Sequence, residues 1–268
     1  MRNIVLILSL WCFCNSVQAA VQGKVVNYQA EDVTLHGYIA YDDAIKGKRP
    51  AVLVVPDWWG QNEFTHKRAR MLAELGYTAM VVDMFGNGKT TDNPAVASKL
   101  SDELNGNLSL EWVRFSAGLN LLGAQETVDA NEMAALGYGF GGNVLLNMAR
   151  IGASLNAVPL KGVVSFYGGL SSETPAKEGK VKSRIISFTG ENDPLVEADK
   201  VEAFKLEMKV AKADFRVVTY PGAQHAFSDP DSDALGKKFN LPIAYDAKAD
   251  SDSWQQTTEF LRKVFAPK

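Results

Sequence analysis

A carboxylate and an imidazole stand at positions suited to acid–base chemistry in the second half of the chain. Asp193 lies in Thr189–Pro194, directly after an apolar segment, and His225 lies in Tyr220–Phe227, after the next one. A histidine oriented by an acid can move a proton to and from a reacting group. Hydrolases built on a parallel sheet place nucleophile, acid and histidine in that chain order. A nucleophile is therefore expected upstream of Asp193.

The upstream position has the spacing of a nucleophile elbow but carries a glycine. Gly137–Gly142 reads Gly-x-Gly-x-Gly-Gly, where a strand–turn–helix hydrolase has Gly-x-Ser-x-Gly or its cysteine equivalent. Met133–Leu136 is predicted as the strand before it and Asn143–Arg150 as the helix after it. Gly139, at the centre, has neither hydroxyl nor thiol, so covalent acyl transfer through this residue is excluded.

Two other interpretations of the glycine segment compete with the elbow. Its spacing also fits Gly-x-Gly-x-x-Gly, the dinucleotide fingerprint, which requires an acidic residue about 20 positions further on. No acidic residue occurs within Asn156–Leu170, which argues against a dinucleotide. The interpretation of this segment as a purely structural turn stays open, although Asp193 and His225 downstream favour the nucleophile elbow.

The N-terminus has the pattern of a secretory signal peptide. Arg2 precedes an apolar run, Ile4–Phe13, and Val17–Ala19 offers a cleavage signal, so residues 1–19 are predicted to be removed. A periplasmic or secreted location follows as an expectation. The apolar run is shorter than the ~20 residues that a membrane span needs. Cys12 and Cys14 are the only cysteines, so a mature protein would hold no thiol.

Composition limits the classes of function. The 268 residues carry a net charge of −3 and 22% charged residues, which gives no indication of a nucleic-acid partner. No cofactor and no metal site are predicted. Of the three histidines, His36 and His66 are interpreted as ordinary surface or rim residues. The length suits one large α/β domain or two small ones, and the sequence shows no repeat or linker, which favours one domain over residues 20–268.

Apolar runs alternate with helical periodicity along the chain. This pattern predicts an α/β fold with a doubly wound, mainly parallel sheet in a single domain. The carboxyl ends of parallel strands collect functional groups at one edge of a sheet. The residues at these predicted ends are Asp57, Asp83, Gly139, Tyr167, Asp193 and His225.

Five motifs together resemble the dienelactone hydrolase family, over about residues 24–265. They are Pro56–Gly60, Asp83–Gly86, Gly137–Gly142, Asp193-Pro194 and His225–Phe227. The resemblance implies an α/β-hydrolase fold and a Cys-His-Asp triad that opens small lactones or esters.

Carried over position by position, the resemblance assigns the base and the acid but not the nucleophile. His225 and Asp193 match the family's base and acid, and Gly139 falls on its cysteine. Asp57 falls where the family usually has a glutamate that contacts the resting thiol. The arginine with which the family binds the substrate carboxylate falls near Asn87, and Lys89 is expected to be a weak substitute for it.

The rest of the cleft is predicted from the same strand ends. The backbone N–H groups of Trp58 and Phe140 are expected to form an oxyanion hole, because backbone donors do not depend on the side chain at position 139. Trp59, Phe85 and Tyr167 are expected to contact the substrate, together with Asp57 and Lys89. The expected ligand is a small ester, lactone or acyl compound.

Three hypotheses of function remain. In the first, the space at Gly139 admits a water that His225, oriented by Asp193, activates for weak or altered hydrolysis. In the second, the protein is a catalytically inactive pseudoenzyme, a secreted module that binds a small ligand or a protein. In the third, Asp57 replaces the nucleophile, although a carboxylate there is expected to serve better as a hydrogen-bond acceptor.

Overall fold

A computed structural model describes residues 21–266 of the chain. The predicted signal peptide falls on residues 1–19 and lies outside the described residues. Within residues 21–266, no helix is both long and apolar enough to cross a membrane.

An eight-stranded sheet with strand order β1-β2-β4-β3-β5-β8-β9-β10 forms the centre of the described residues, beside a short two-stranded ribbon, β6-β7. The strands are β1 (Val21–Ala30), β2 (Val33–Asp42), β3 (Arg49–Val55), β4 (Thr78–Val81), β5 (Val128–Tyr138), β6 (Ser154-Leu155), β7 (Val158-Pro159), β8 (Gly162–Phe166), β9 (Arg184–Gly190) and β10 (Phe215–Tyr220). The helices are α1 (Glu63–Glu74), α2 (Pro94–Asp102), α3 (Leu108–Gly123), α4 (Phe140–Ile151), α5 (Ala198–Val210), α6 (Ser232–Phe239) and α7 (Ala247–Val264).

The sheet is antiparallel only at one edge. β1 and β2 form a hairpin, β2 pairs antiparallel with β4, and every pairing from β4 to β10 is parallel. Helices α1 and α7 cover one face, and α2, α3, α4 and α5 cover the other, with a separate apolar core on each side. The predicted doubly wound, mainly parallel sheet in one domain is confirmed.

Two helices begin more than two residues away from their predicted start, and a third helix was not predicted. Helix α4 begins at Phe140, three residues early, because the chain passes from the elbow into the helix without a linker. Helix α6 was not predicted, since it has only eight residues and includes an internal glycine, Gly236. The apolar periodicity of the C-terminal segment predicts a last helix near residues 253–265. Helix α7 instead begins at Ala247, because the Asp246 side chain accepts hydrogen bonds from two N–H groups of its first turn.

The turn between β5 and α4 has the backbone of a tight elbow. Gly139 has a φ of 47° and a ψ of −114°, a conformation that glycine adopts without strain. A Cβ on Gly141 would lie 2.7 Å from the carbonyl carbon of Val55, and one on Gly137 would lie 2.8 Å from the nitrogen of Gly142. The flanking glycines are therefore required by the close approach of strand, turn and helix.

Candidate active site

His225 and Asp193 are joined by a hydrogen bond at the carboxyl ends of β10 and β9. His225 Nδ1 lies 2.8 Å from Asp193 Oδ2, and the Asp193 side chain is fully buried. The other oxygen, Asp193 Oδ1, accepts a hydrogen bond of 2.8 Å from the backbone N–H of Leu195. The backbone of the same loop thus holds the Asp193 carboxylate in place, and the carboxylate in turn orients the imidazole of His225.

The ring and the backbone of His225 each have one further contact. Tyr167 meets it edge to face, with ring centroids 5.0 Å apart. The carbonyl oxygen of His225 accepts a hydrogen bond of 3.2 Å from the N–H of Ala244. Within residues 21–266, Nε2 has no hydrogen-bond partner, and His225 lines a cavity. Nε2 is therefore the ring nitrogen available for proton transfer.

The carboxylate of Asp57 lies on the two predicted oxyanion donors. Asp57 Oδ1 accepts hydrogen bonds from the N–H of Trp58 at 2.6 Å and from the N–H of Phe140 at 3.2 Å. These N–H groups converge on one point, as an oxyanion hole requires. An anionic oxygen of the protein itself occupies that point, so Asp57 acts as the hydrogen-bond acceptor that its sequence position indicated.

The same carboxylate fills the space that a side chain at residue 139 would take. A Cβ built on Gly139 would lie 2.7 Å from Asp57 Cγ, 2.9 Å from Oδ2 and nearer still to Oδ1. The expectation that a water occupies this space is wrong, because the carboxylate is already there. A water that reacts with a substrate must instead lie in the cavity, against His225.

The cavity beside these groups has a volume of about 360 Å³. Its lining includes the sequence-predicted residues Asp57, Trp58, Trp59, Gly139, Phe140, Tyr167 and His225. It also includes apolar residues that sequence reasoning missed, namely Leu195, Val196, Leu241, Pro242 and Ile243. Leu195 and Val196 directly follow the Asp193-Pro194 motif, and this position in the sequence was the one signal that could have placed them at the cavity. The segment from Leu241 to Ile243 reaches the cavity only through tertiary packing, because its backbone pairs with His225.

The segment that follows β4, with Asp83, Phe85 and Lys89, does not line this cavity. Phe85 is buried and packs its ring on Phe140, with centroids 5.5 Å apart, so it supports the wall from behind. Lys89 lies outside the cavity lining. Phe85 and Lys89, which were predicted to contact the substrate, are therefore not part of the cavity wall. Asp83 instead organises its own loop, accepting hydrogen bonds from the N–H groups of Gly86 and Gly88.

Burial and neighbouring charges shift the pKa values of His225 and Asp57. Burial lowers the pKa of His225, but the hydrogen bond and charge of Asp193, with the charge of Asp57, outweigh this and raise the pKa above its usual 6.5. Removal from bulk water raises the pKa of Asp57, although the imidazolium and the two N–H donors act in the opposite direction. His225 is therefore a stronger base than a free imidazole.

This shift predicts the pH dependence of any reaction that needs neutral His225. The kcat/KM of the protein for a neutral ester should rise with pH through a midpoint above 6.5, because the base works only after the ring loses its proton. Asp57→Asn should move that midpoint down, since the carboxylate no longer stabilises imidazolium. A pH–rate profile of both proteins checks this, and an unchanged midpoint in Asp57→Asn would contradict the assignment.

The sequence is similar to known proteins over most of its length. A sequence model of the dienelactone hydrolase family matches residues 35–265. The chain belongs to the dienelactone hydrolase family. Its α/β-hydrolase fold is therefore the one that the sequence predicted, and the sheet and seven helices of the described residues agree with that fold.

Several relatives resemble the chain over most of their length. The crystal structure of a dienelactone hydrolase-like promiscuous phosphotriesterase from metagenomic libraries is 32% identical, with a TM-score of 0.84, covering 92% of this chain and 100% of the other. A probable 2-oxo-3-(5-oxofuran-2-ylidene)propanoate lactonase of Bradyrhizobium is 27% identical over 81% of this chain and 85% of the relative. An uncharacterised protein of Caenorhabditis elegans is 32% identical over 62% of this chain and its own full length.

No metal cluster is present in the part of the chain that the structure describes. Within residues 21–266, no group of three or more histidine, cysteine, aspartate or glutamate side chains is arranged to hold an ion.

Proposed function

We propose that this protein hydrolyses small, mainly uncharged esters or lactones by direct attack of water, with His225 as the general base. The observation that carries this proposal is the 2.8 Å hydrogen bond from His225 to Asp193 at the wall of the cavity. Asp193 sets the tautomer, so that Nε2 accepts a proton from a water in the cavity. Family membership supports hydrolysis in general, and the lactonase name of the Bradyrhizobium relative supports the substrate class.

The expected activity is weak. Residue 139 cannot carry an acyl group, and the donors that would stabilise a tetrahedral oxyanion already bind Asp57 Oδ1. A triad hydrolase without its nucleophile retains about 10³–10⁴-fold acceleration over water when its oxyanion hole is free. Because the hole is occupied in this protein, we expect wild-type turnover at or below that range.

Removal of the imidazole tests the proposal. His225→Ala should lower the kcat for p-nitrophenyl butyrate at least tenfold, since general-base catalysis contributes about 10²–10⁴-fold in most enzymes. His36→Ala is the matched control, because His36 lies in β2 and does not line the cavity. Equal turnover in wild type and His225→Ala would contradict the proposal.

A second function, binding without catalysis, is favoured by the occupied oxyanion hole. If the wild-type protein turns over no ester and yet binds a butyrate ester or its amide analogue in the cavity, the chain is a ligand-binding module. Calorimetric titration with the non-hydrolysable amide distinguishes the two functions, because only the hydrolase also shows turnover that depends on His225.

We further propose that the protein acts in the periplasm or after secretion. Arg2, the apolar run Ile4–Phe13 and the small residues before Ala20 support this location. N-terminal sequencing of the protein recovered from its native host tests cleavage near Ala19.

A further inference from the structure

The two oxygens of the Asp57 carboxylate have different environments. Oδ1 accepts both backbone hydrogen bonds, from Trp58 and Phe140. No residue in the described range 21–266 forms a hydrogen bond with Oδ2. Asp57 is partly exposed and lines the same cavity as His225. One oxygen is therefore held in place, while the other keeps its lone pairs available.

The Asp57 carboxylate occupies the space that a side chain at residue 139 would fill. Its Cγ lies 2.7 Å from the Cβ that a residue at 139 would have. A carboxylate in such a place can act as a covalent nucleophile. Its attack on an acyl ester would give an anhydride, which is unfavourable, whereas its attack on a saturated carbon gives a stable alkyl ester. The chemistry of Asp57 therefore selects a saturated carbon with a leaving group.

We propose that Asp57 is the nucleophile of a second reaction in this cavity, the hydrolysis of short haloalkanes. In the first step, a lone pair of Asp57 Oδ2 forms a bond to the carbon as the carbon–halogen bond breaks. The halide leaves with the electron pair, and Asp57 becomes an alkyl ester. The step needs no proton and no further reactant.

The second step releases the alcohol with His225 as the base, and to that extent the inference rests on the proposed function. His225 takes a proton from water as the water oxygen attacks Cγ of the Asp57 ester. The tetrahedral intermediate collapses, the alkoxide leaves with the former Oδ2, and it takes the proton from imidazolium. The carboxyl group then loses a proton to solvent, so haloalkane and water give alcohol, halide and a proton.

The hydrogen bonds to Oδ1 suit this second step. Negative charge develops on Oδ1 in the tetrahedral intermediate, and the N–H groups of Trp58 and Phe140 already point at that atom. Donors fixed before the reaction stabilise such charge most effectively. The arrangement that obstructs an ester substrate therefore assists hydrolysis of an Asp57 ester.

The cavity agrees with a small apolar substrate. Its wall includes Trp58, Leu195, Leu241 and Ile243, and no lysine or arginine of the described residues lines it. A volume of about 360 Å³ holds a haloalkane of a few carbon atoms. An apolar wall also leaves the carboxylate poorly hydrated, which favours its attack on carbon.

Trapping the alkyl-enzyme tests the inference. His225→Gln should complete the first step with 1-bromobutane and stop, so intact-mass spectrometry should show one added butyl group, which peptide mapping places on Asp57. The wild-type protein should release bromide steadily, and turnover in H₂¹⁸O should place ¹⁸O in the Asp57 carboxylate. The wild-type measurement stands even if His225→Gln fails to fold.

Two variants serve as controls. Asp57→Ala should lose bromide release and the adduct, while Glu173→Gln, which removes an exposed carboxylate outside the cavity, should keep both. Bromide release by Asp57→Ala at the wild-type rate, or wild-type protein without bromide release or label, overturns the inference. Ester hydrolysis that needs His225 would then leave the proposed function intact. Conversely, an Asp57 adduct without any ester turnover refutes the ester function alone.

Discussion

The double variant Gly139→Cys with Asp57→Ala is expected to become a covalent esterase. The thiol would face His225 at an elbow whose backbone already has the required conformation, and loss of the carboxylate would free the N–H groups of Trp58 and Phe140. Loss of a triad nucleophile costs about 10⁶-fold in kcat, so regaining part of it should raise kcat for p-nitrophenyl butyrate by ~10³-fold or more. A burst of p-nitrophenol equal to the enzyme concentration would identify the acyl-enzyme.

The single variant Gly139→Cys should fail where the double variant succeeds. Its Cβ would collide with the Asp57 carboxylate, and a side chain at this positive φ costs about 1–3 kcal/mol in stability. The double variant Gly139→Ala with Asp57→Ala adds the Cβ without a thiol and is the matched control. A full burst from Gly139→Cys alone would show that Asp57 moves aside freely and does not block the elbow.

Asp57→Ala alone should accelerate ester hydrolysis. It frees two oxyanion donors, and one such donor is worth about 10²–10³-fold in kcat, so a gain of tenfold or more is expected. It also removes a charge that raises the pKa of His225, so more of the base is neutral at pH 7. Steady-state kinetics with p-nitrophenyl butyrate measure the gain.

Asp57→Asn is the conservative comparison for that variant. Its amide oxygen can still accept from Trp58 and Phe140, so its gain should be smaller than that of Asp57→Ala. If Asp57→Ala instead hydrolyses the ester more slowly than wild type, then the carboxylate takes part in ester hydrolysis and does not obstruct it.

The order of elements and the catalytic pair could be predicted because their signals are local. Continuous apolar runs marked the buried parallel strands β3, β4 and β8, and Gly-x-Gly-x-Gly marked the turn from β5 into α4. Asp193 and His225 follow two neighbouring strands, so parallel pairing brings them to one edge of the sheet. The 2.8 Å contact between them follows from that topology.

The position of the Asp57 carboxylate could not be predicted in full. The sequence showed that residue 139 lacks a side chain, and it showed an acid after β3. That the acid fills this space depends on the distance between two turns that lie far apart in the sequence. A rotamer choice of one short side chain therefore decides whether the oxyanion hole is free.

The residues that line the cavity could likewise be predicted only in part from the sequence. Phe85 was expected to contact substrate because it follows a strand end, but its ring packs on Phe140 and stays buried. The segment Leu241–Ile243 was missed because its place depends on pairing with His225 across a helix and two loops. Sequence periodicity specifies which elements form, whereas the direction of a loop side chain depends on tertiary packing.

The most direct test of water attack without a covalent intermediate is the first turnover of the wild-type protein. With the enzyme at a concentration close to that of p-nitrophenyl butyrate, we predict product that rises linearly from the start, together with an unmodified protein mass, because water attacks the ester without an acyl-enzyme. A burst equal to the enzyme concentration, or an acyl group on any residue, would contradict this mechanism, as would a complete lack of turnover.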